Sequence, residues 1–112
     1  PGTAIELATL WQVTADPPTP DPEWVLFVHL LDDHGRISGQ EDRLDAPSWD
    51  WQRGDMFVQI HRFVVNADAP PGPARLEIGV YRRADGLRLP VLVDGDAVDD
   101  RAILQNVEVV TE

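Results

Sequence analysis

Two tryptophans flank an aspartate near the middle of this chain, at Trp49, Asp50 and Trp51. Indole faces stack on sugar rings, and a neighbouring carboxylate accepts hydrogen bonds from sugar hydroxyls. Asp45 lies shortly before them and offers a second acceptor. These four residues are the candidate ligand-binding residues, with a carbohydrate as the ligand. The alternative is that at least one indole closes the open end of a folded core, as large aromatic side chains near strand starts commonly do.

The three histidines are where acid-base chemistry would be sought, because the pKa of imidazole lies near neutrality. His29 and His61 fall inside predicted strands and His34 falls in a predicted turn. None stands in a recognisable order with a serine or a carboxylate, and the G-x-S-x-G, H-E-x-x-H and P-loop patterns do not occur. We therefore predict structural or solvent-facing histidines, no catalytic residues and no enzymatic activity for this domain.

The densest acidic group comprises Asp94, Asp96, Asp99 and Asp100, and carboxylates in a loop are typical calcium ligands. The run lacks the twelve-residue spacing and the final glutamate of an EF-hand loop, and Asp-Gly is typical of turns. We predict a solvated acidic edge, with no metal and no cofactor. Calcium binding by this loop is the alternative.

Length and charge limit the class of protein. The 112 residues fit a single domain, 1–112, with a two-layer core, and the absence of cysteine excludes disulfides. Twenty acidic and nine basic residues give a formal net charge of −11, which repels phosphate backbones, so no nucleic-acid partner is expected.

The longest apolar run is far shorter than the roughly 20 residues that span a bilayer, so no direct membrane insertion is expected. The opening Pro-Gly-Thr predicts a domain excised from a longer chain.

The elements that must position these residues are predicted from alternating apolar and polar side chains. Ten prolines and eight glycines interrupt them at the spacing of an all-β protein, and no long stretch has helical periodicity. We predict an antiparallel two-sheet β-sandwich, immunoglobulin-like or jelly-roll-like, with about seven strands and no substantial helix. The main predicted strand regions are Ile5–Val13, Trp24–Asp32, Ile37–Asp42, Met56–Val64, the hairpin Pro70–Val91 and Ile103–Val109.

The segment Pro70–Val91 has the clearest pattern of the chain. Apolar residues at alternate positions from Leu76 to Val80 predict one buried face, and the residues between them predict an exposed polar face. Ala84, Asp85 and Gly86 then tolerate the positive φ of a tight reversal. The pattern predicts a complete β-hairpin whose strands are half-buried.

Several segments, spread over most of the chain, resemble a known module. They are Val25–Asp32 with its Gly35 turn, Trp51 followed by Gly54 and Asp55, and Pro71–Tyr81 followed by Gly86 and Arg88-Leu89-Pro90. Together they resemble the β-sandwich module at the C-terminal, extracytoplasmic end of bacterial multi-pass membrane glycosyltransferases of the protein O-mannosyltransferase-like superfamily.

The resemblance implies a non-catalytic accessory domain on the extracytoplasmic face of a bacterial membrane. Its partners would be the membrane-embedded parent glycosyltransferase, which uses polyprenyl-phosphate sugars, and a glycan or protein acceptor. The catalytic carboxylate of such a parent lies outside this module. The alternatives are a stand-alone carbohydrate-binding module, with Trp49 and Trp51 as the stacking platform, and a spacer or protein-interaction domain.

Overall fold

The structure is a computed structural model that describes residues 2–16, 23–93 and 96–109. The cluster Asp16–Pro22, with four prolines among seven residues, predicts a loop, and Asp94-Gly95 predicts a turn. Residues 17–22, 94 and 95 lie outside the described residues. Within them, no helix is long and apolar enough to cross a membrane. The elements are β1 (Ala4–Gln12), β2 (Trp24–Asp32), β3 (Ile37–Asp42), a 3-10 turn (Ser48–Asp50), β4 (Met56–Val64), β5 (Gly72–Arg82), β6 (Val91–Val93), β7 (Asp96–Asp99) and β8 (Ala102–Val109).

The strands form two facing antiparallel sheets and a short ribbon. One sheet pairs β1 with β4, and the other has the order β3-β2-β5-β8. The ribbon pairs β6 with β7. Side chains from both sheets meet in one core, where Phe63 packs with Val28, Leu30 and Leu76. The prediction of an all-β, antiparallel β-sandwich without substantial helix is confirmed, with eight strands in the described part of the chain.

Strand β2 lies at the centre of the larger sheet, between β3 and β5. Its alternate residues Val28 and Leu30 enter the core, while Phe27 and His29 lie on the opposite face and are also buried. A strand covered on both faces needs apolar residues at nearly every position. This explains the apolar run from Val25 to Leu31, which only His29 interrupts.

Strand β5 differs from the half-buried strand that its pattern predicts. Its polar face is covered, so that Glu77 is only 1% exposed and a Cβ on Gly79 would lie 2.3 Å from the ring of Phe27. Directly after the turn, Arg88 lies over the ring of Phe27 and forms a single β-bridge with Tyr81. The return arm of the predicted hairpin is therefore shorter than expected.

The turn of that hairpin is held by one carboxylate. Asp85 pairs with the Arg82 guanidinium and accepts a hydrogen bond from the Leu87 N–H at 3.0 Å. Chiefly because of Arg82, the pKa of Asp85 is lowered to about 2. Gly86 has φ of 70°, a conformation that favours glycine.

Candidate functional site

Aromatic side chains gather at one end of the sandwich, around a cavity of about 290 Å³. Trp11 comes from the end of β1 and Phe57 from the start of β4, where the antiparallel register places the two residues opposite each other. Trp24 begins β2, and Trp51 follows the 3-10 turn. Three of the four tryptophans of the chain therefore line one cavity, whose lining is predominantly apolar.

Hydrogen bonds hold two of these indoles in place. The Nε1–H of Trp51 donates to the Ala46 carbonyl at 2.8 Å, and its ring stacks on Phe57 with a centroid distance of 5.6 Å. The Nε1–H of Trp11 donates to the Thr9 hydroxyl at 2.7 Å. Because these polar atoms are satisfied within the protein, the two rings can present apolar surface to the cavity.

The rim of the cavity is polar. Gln12, Thr14 and Asp16 line it and are exposed. Asp16 also accepts a hydrogen bond from the Arg53 N–H at 2.9 Å, and an open recess lined by Asp16, Trp51, Gln52 and Arg53 adjoins the cavity. An aromatic floor with amide, hydroxyl and carboxylate groups at its edge suits a ligand that has an apolar ring face and hydroxyls around it.

The structure separates the four predicted site residues. Trp51 lines the cavity, whereas Trp49 is 62% exposed and lies outside the lining, and Asp50 is exposed on the 3-10 turn. Asp45 has a local role: it accepts a hydrogen bond from Arg43 Nε at 2.7 Å, which lowers its pKa, and its N–H donates to Gln59 Oε1 at 2.7 Å.

Sequence reasoning missed Trp11, Trp24 and Phe57. The pairing of β1 with β4, had it been known, would have identified Trp11 and Phe57. In an antiparallel hairpin-like pair, the last residues of one strand face the first residues of the other, so Trp11 and Phe57 could have been placed together once β1 was paired with β4. Nothing local in the sequence pairs those strands.

A second group of polar residues lies on the outer face of the larger sheet, in a recess of about 250 Å³. The Tyr81 hydroxyl donates to Asp42 Oδ2 at 3.0 Å, and His29 Nε2 lies 3.7 Å from Asp42 Oδ1. The Arg88 guanidinium lies 4.4 Å from the centre of the Phe27 ring. Burial lowers the pKa of His29, whereas burial and the Asp42 hydrogen bond raise the pKa of Tyr81, so both groups are neutral near pH 7. These residues pair with one another, which favours a structural role.

His61 is fully buried on the inner face of β4. Neither of its ring nitrogens has a hydrogen-bond partner in the described part of the structure, and Nδ1 lies 3.8 Å from Glu41 Oε1. Burial lowers the pKa of His61, which keeps the imidazole neutral. His34 is exposed in the β2–β3 turn.

Two of the acidic residues near the ribbon, Asp99 and Asp100, have arginine partners. Asp100 Oδ1 lies 3.3 Å from Arg101 Nε and 3.5 Å from Arg88 Nη1, and Asp99 Oδ1 lies 3.7 Å from Arg101 Nε. Asp94 lies outside the described residues. Among residues 2–16, 23–93 and 96–109, no three His, Asp or Glu side chains are grouped closely enough to hold a metal ion.

Comparison with known proteins gave no match to a protein-family model, a curated protein or a solved structure. The site is therefore interpreted from its own residues.

Proposed function

We propose that this chain is a non-catalytic accessory domain that binds a glycan, with a sugar ring stacked in the tryptophan-lined cavity. The observation that carries the proposal is the convergence of Trp11, Trp24 and Trp51 on one cavity with a polar rim. A cavity of about 290 Å³ is at the lower end of the range for small-molecule sites, which suits one or two sugar rings. The stacking partners would thus be Trp51 and two tryptophans that the local sequence does not bring together.

The proposed setting is the extracytoplasmic face of a bacterial membrane, where the domain would help a membrane-embedded glycosyltransferase to position a glycan or protein acceptor. Support comes from the resemblance of Val25–Asp32 and Pro71–Tyr81 to the module of such enzymes. These segments form most of β2 and β5, the two central strands of the larger sheet. Sequencing of the gene upstream of this region tests the setting: a chain without membrane-spanning segments there would contradict it.

The proposal assigns no chemical step to this domain. His29 and His61, its two buried histidines, have pKa values lowered by burial, and neither lies in the tryptophan-lined cavity. We expect the isolated domain to bind sugar without hydrolysing or transferring it. Chromatography of a mannose oligosaccharide incubated with the protein should return the oligosaccharide unchanged.

The cavity is tested by Trp51→Ala, with Trp49→Ala as the matched control. Binding of mannose oligosaccharides is measured by isothermal titration calorimetry, after circular dichroism has verified the fold of each variant. We expect Trp51→Ala to weaken binding roughly tenfold, because it removes one stacking face, and Trp49→Ala to leave it nearly unchanged. Equal losses in the two variants would place the site on the exposed loop. Unchanged binding in Trp51→Ala would exclude the cavity.

A glycan array identifies the sugar if mannose oligosaccharides give no heat. If no glycan on the array is retained by the wild-type domain, the glycan-binding function is wrong. A rim variant, Gln12→Ala, tests the polar edge: we expect a loss smaller than that of Trp51→Ala, because a single exposed amide contributes one hydrogen bond.

A further inference from the structure

Strand β1 lies at an open edge of the sandwich. It pairs with β4 over nine residues in a continuous antiparallel register, and the described residues include no second strand paired with it. The other side of the small sheet is occupied, because β4 lies beside β3. The Arg62 N–H of β4 donates to Glu41 Oε1 of β3 at 3.1 Å, and just after β4 the Asn66 N–H donates to the Ser38 carbonyl at 2.7 Å. The open edge of β1 is therefore on the side where the larger sheet ends in β8.

Along this edge, the backbone of β1 has hydrogen-bonding groups that no described residue satisfies. The Val13 N–H donates to the Asp55 carbonyl, and the Thr3 carbonyl accepts from the Val65 N–H, so odd-numbered residues direct their backbone groups toward β4. In an antiparallel ladder these directions alternate. The N–H and C=O groups of Ala4, Glu6, Ala8, Leu10 and Gln12 therefore point away from β4, along the open edge.

The core is also incompletely covered at this edge. The inward-facing residues Ile5, Leu7 and Trp11 remain partly exposed, although they pack against the core. Between β1 and β8 lies an apolar cleft of about 270 Å³, lined by Ile5, Leu30, Val65, Val107 and Val109 among others. A two-stranded sheet cannot cover a four-stranded one, and the cleft is where a further strand would lie over β8.

β1 lacks the features that protect edge strands from pairing. Such strands usually carry lysine, proline, several charges or a bulge. Strand β3 has Glu41 and Asp42, and its register with β2 is irregular. The register of β8 with β5 is also irregular. β1 has no proline, lysine or arginine, and its only charged residue is Glu6.

We propose that β1 is a receptor for one extended polypeptide strand supplied from outside these 112 residues, which pairs antiparallel with β1 and fills the cleft over β8. Its inward residues would be aliphatic at alternate positions, because the cleft is apolar. Its outward residues would be neutral or basic, since Glu6 and Glu108 lie beside the edge and the cleft and the chain has a net charge of −11. A second copy of the whole sandwich does not fit, because its own β8 would occupy the same space as β8 of the first.

Hydrogen exchange of the 112-residue chain tests the open edge without any ligand. We expect the amides of Ala8 and Leu10 to exchange at least tenfold faster than those of Leu7 and Thr9, which bond to β4. Similar protection of all four amides would show that the edge is already covered and would overturn the proposal.

Strand addition is tested with the synthetic peptide KVKVTVKIK, and the control is a peptide of the same composition with its alternation scrambled. We expect the alternating peptide to slow the exchange of the Ala8 and Leu10 amides at least tenfold, and the scrambled peptide to leave them unchanged. Failure of the alternating peptide to protect these amides at millimolar concentration, or equal protection by both peptides, would overturn the proposal.

Two substitutions test whether the peptide binds at the open edge of β1. Ala8→Pro removes one outward N–H and should weaken peptide binding at least tenfold, whereas Ile60→Lys, opposite Ala8 in the register of β4, should leave it unchanged. If Ala8→Pro unfolds the chain, Val107→Lys serves instead, because it places a charge in the cleft. Loss of binding in Ile60→Lys alone would assign the peptide to the outer face of the small sheet and overturn the proposal.

Discussion

The outer faces of the two sheets contrast sharply. On the larger sheet, Phe27, His29 and Glu77 face outward and are nevertheless buried. On the smaller sheet, Val58 and Ile60 face outward and are 59% and 50% exposed. Polar side chains are thus buried on the outer face of the larger sheet, whereas aliphatic side chains are exposed to solvent on the outer face of the smaller sheet. Burial in this protein therefore depends on which chain segment crosses each face, and residue type alone is a poor guide to it.

The covered face tolerates its polar residues because they have partners. Glu77 lies between two arginines, with Oε1 3.2 Å from Arg75 Nε and Oε2 3.4 Å from Arg101 Nη1. The ring of Phe27 occupies the space above Gly79, where no side chain projects. A buried carboxylate without such partners would strongly destabilise the fold.

The largest predicted effect tests whether the covered face is a true core. Phe27→Ala should lower the free energy of unfolding by about 3–5 kcal/mol, the usual cost of removing a buried aromatic ring. Val58→Ala, on the open face, should change it by no more than about 0.5 kcal/mol. Urea denaturation followed by circular dichroism measures both. Comparable losses in the two variants would mean that the two outer faces do not differ.

A smaller effect is expected for the ion pairs of the two sheets. Glu77→Gln should cost about 2–3 kcal/mol, less than the loss of a fully buried pair, because the partner arginines are partly exposed and regain water. Glu6→Gln, which breaks the exposed pair with Arg62, should cost less than about 1 kcal/mol. The same denaturation experiment applies, and a Glu77→Gln variant as stable as Glu6→Gln would show that the buried carboxylate contributes little.

The smallest effect concerns pH, and it involves one histidine from each sheet. Burial lowers the pKa of His29 and of His61 below the ordinary value, so the unfolded chain binds protons more readily than the folded one as the pH falls. Their contribution to stability is therefore complete above about pH 6.5 and declines below it. Thermal melting between pH 7 and pH 5 should show a falling midpoint.

His61→Leu should reduce that pH dependence, because it removes a buried imidazole whose nitrogens have no hydrogen-bond partner in the described structure. His34→Leu, which removes a histidine from the exposed β2–β3 turn, is the control for the substitution itself. If His61→Leu does not alter the dependence of the melting midpoint on pH, that dependence comes from His29 or from the carboxylates.

The strands were largely predictable because their signals are local. The sequence predicted β2 and β3 with the bounds that the structure has, since an apolar run, a turn at Gly35 and a polar strand follow one another directly. The alternation in β1 and β4 likewise identified both strands. Pairing was not predictable in the same way: β1 and β4 are separated by two other strands, and no turn joins them.

The candidate site was only partly predictable. Trp51 was identified from its neighbours in sequence, and it lines the cavity. Trp11 and Trp24 were not, because their proximity depends on how the two sheets face each other. Asp45 was predicted as a ligand-binding acceptor, but its carboxylate accepts hydrogen bonds from Arg43 Nε and Gln59 Nε2.

The all-β class and the positions of the principal strands follow from the sequence alone, because periodicity and turn residues are properties of neighbouring residues. The lack of cysteine chemistry follows from composition. The burial of Glu77, the convergence of three tryptophans on one cavity and the lack of a second strand beside β1 among the described residues follow from the tertiary structure alone. Each of these depends on contacts between segments far apart in the chain, and such contacts follow from sheet pairing and from the path of the segment that covers β5.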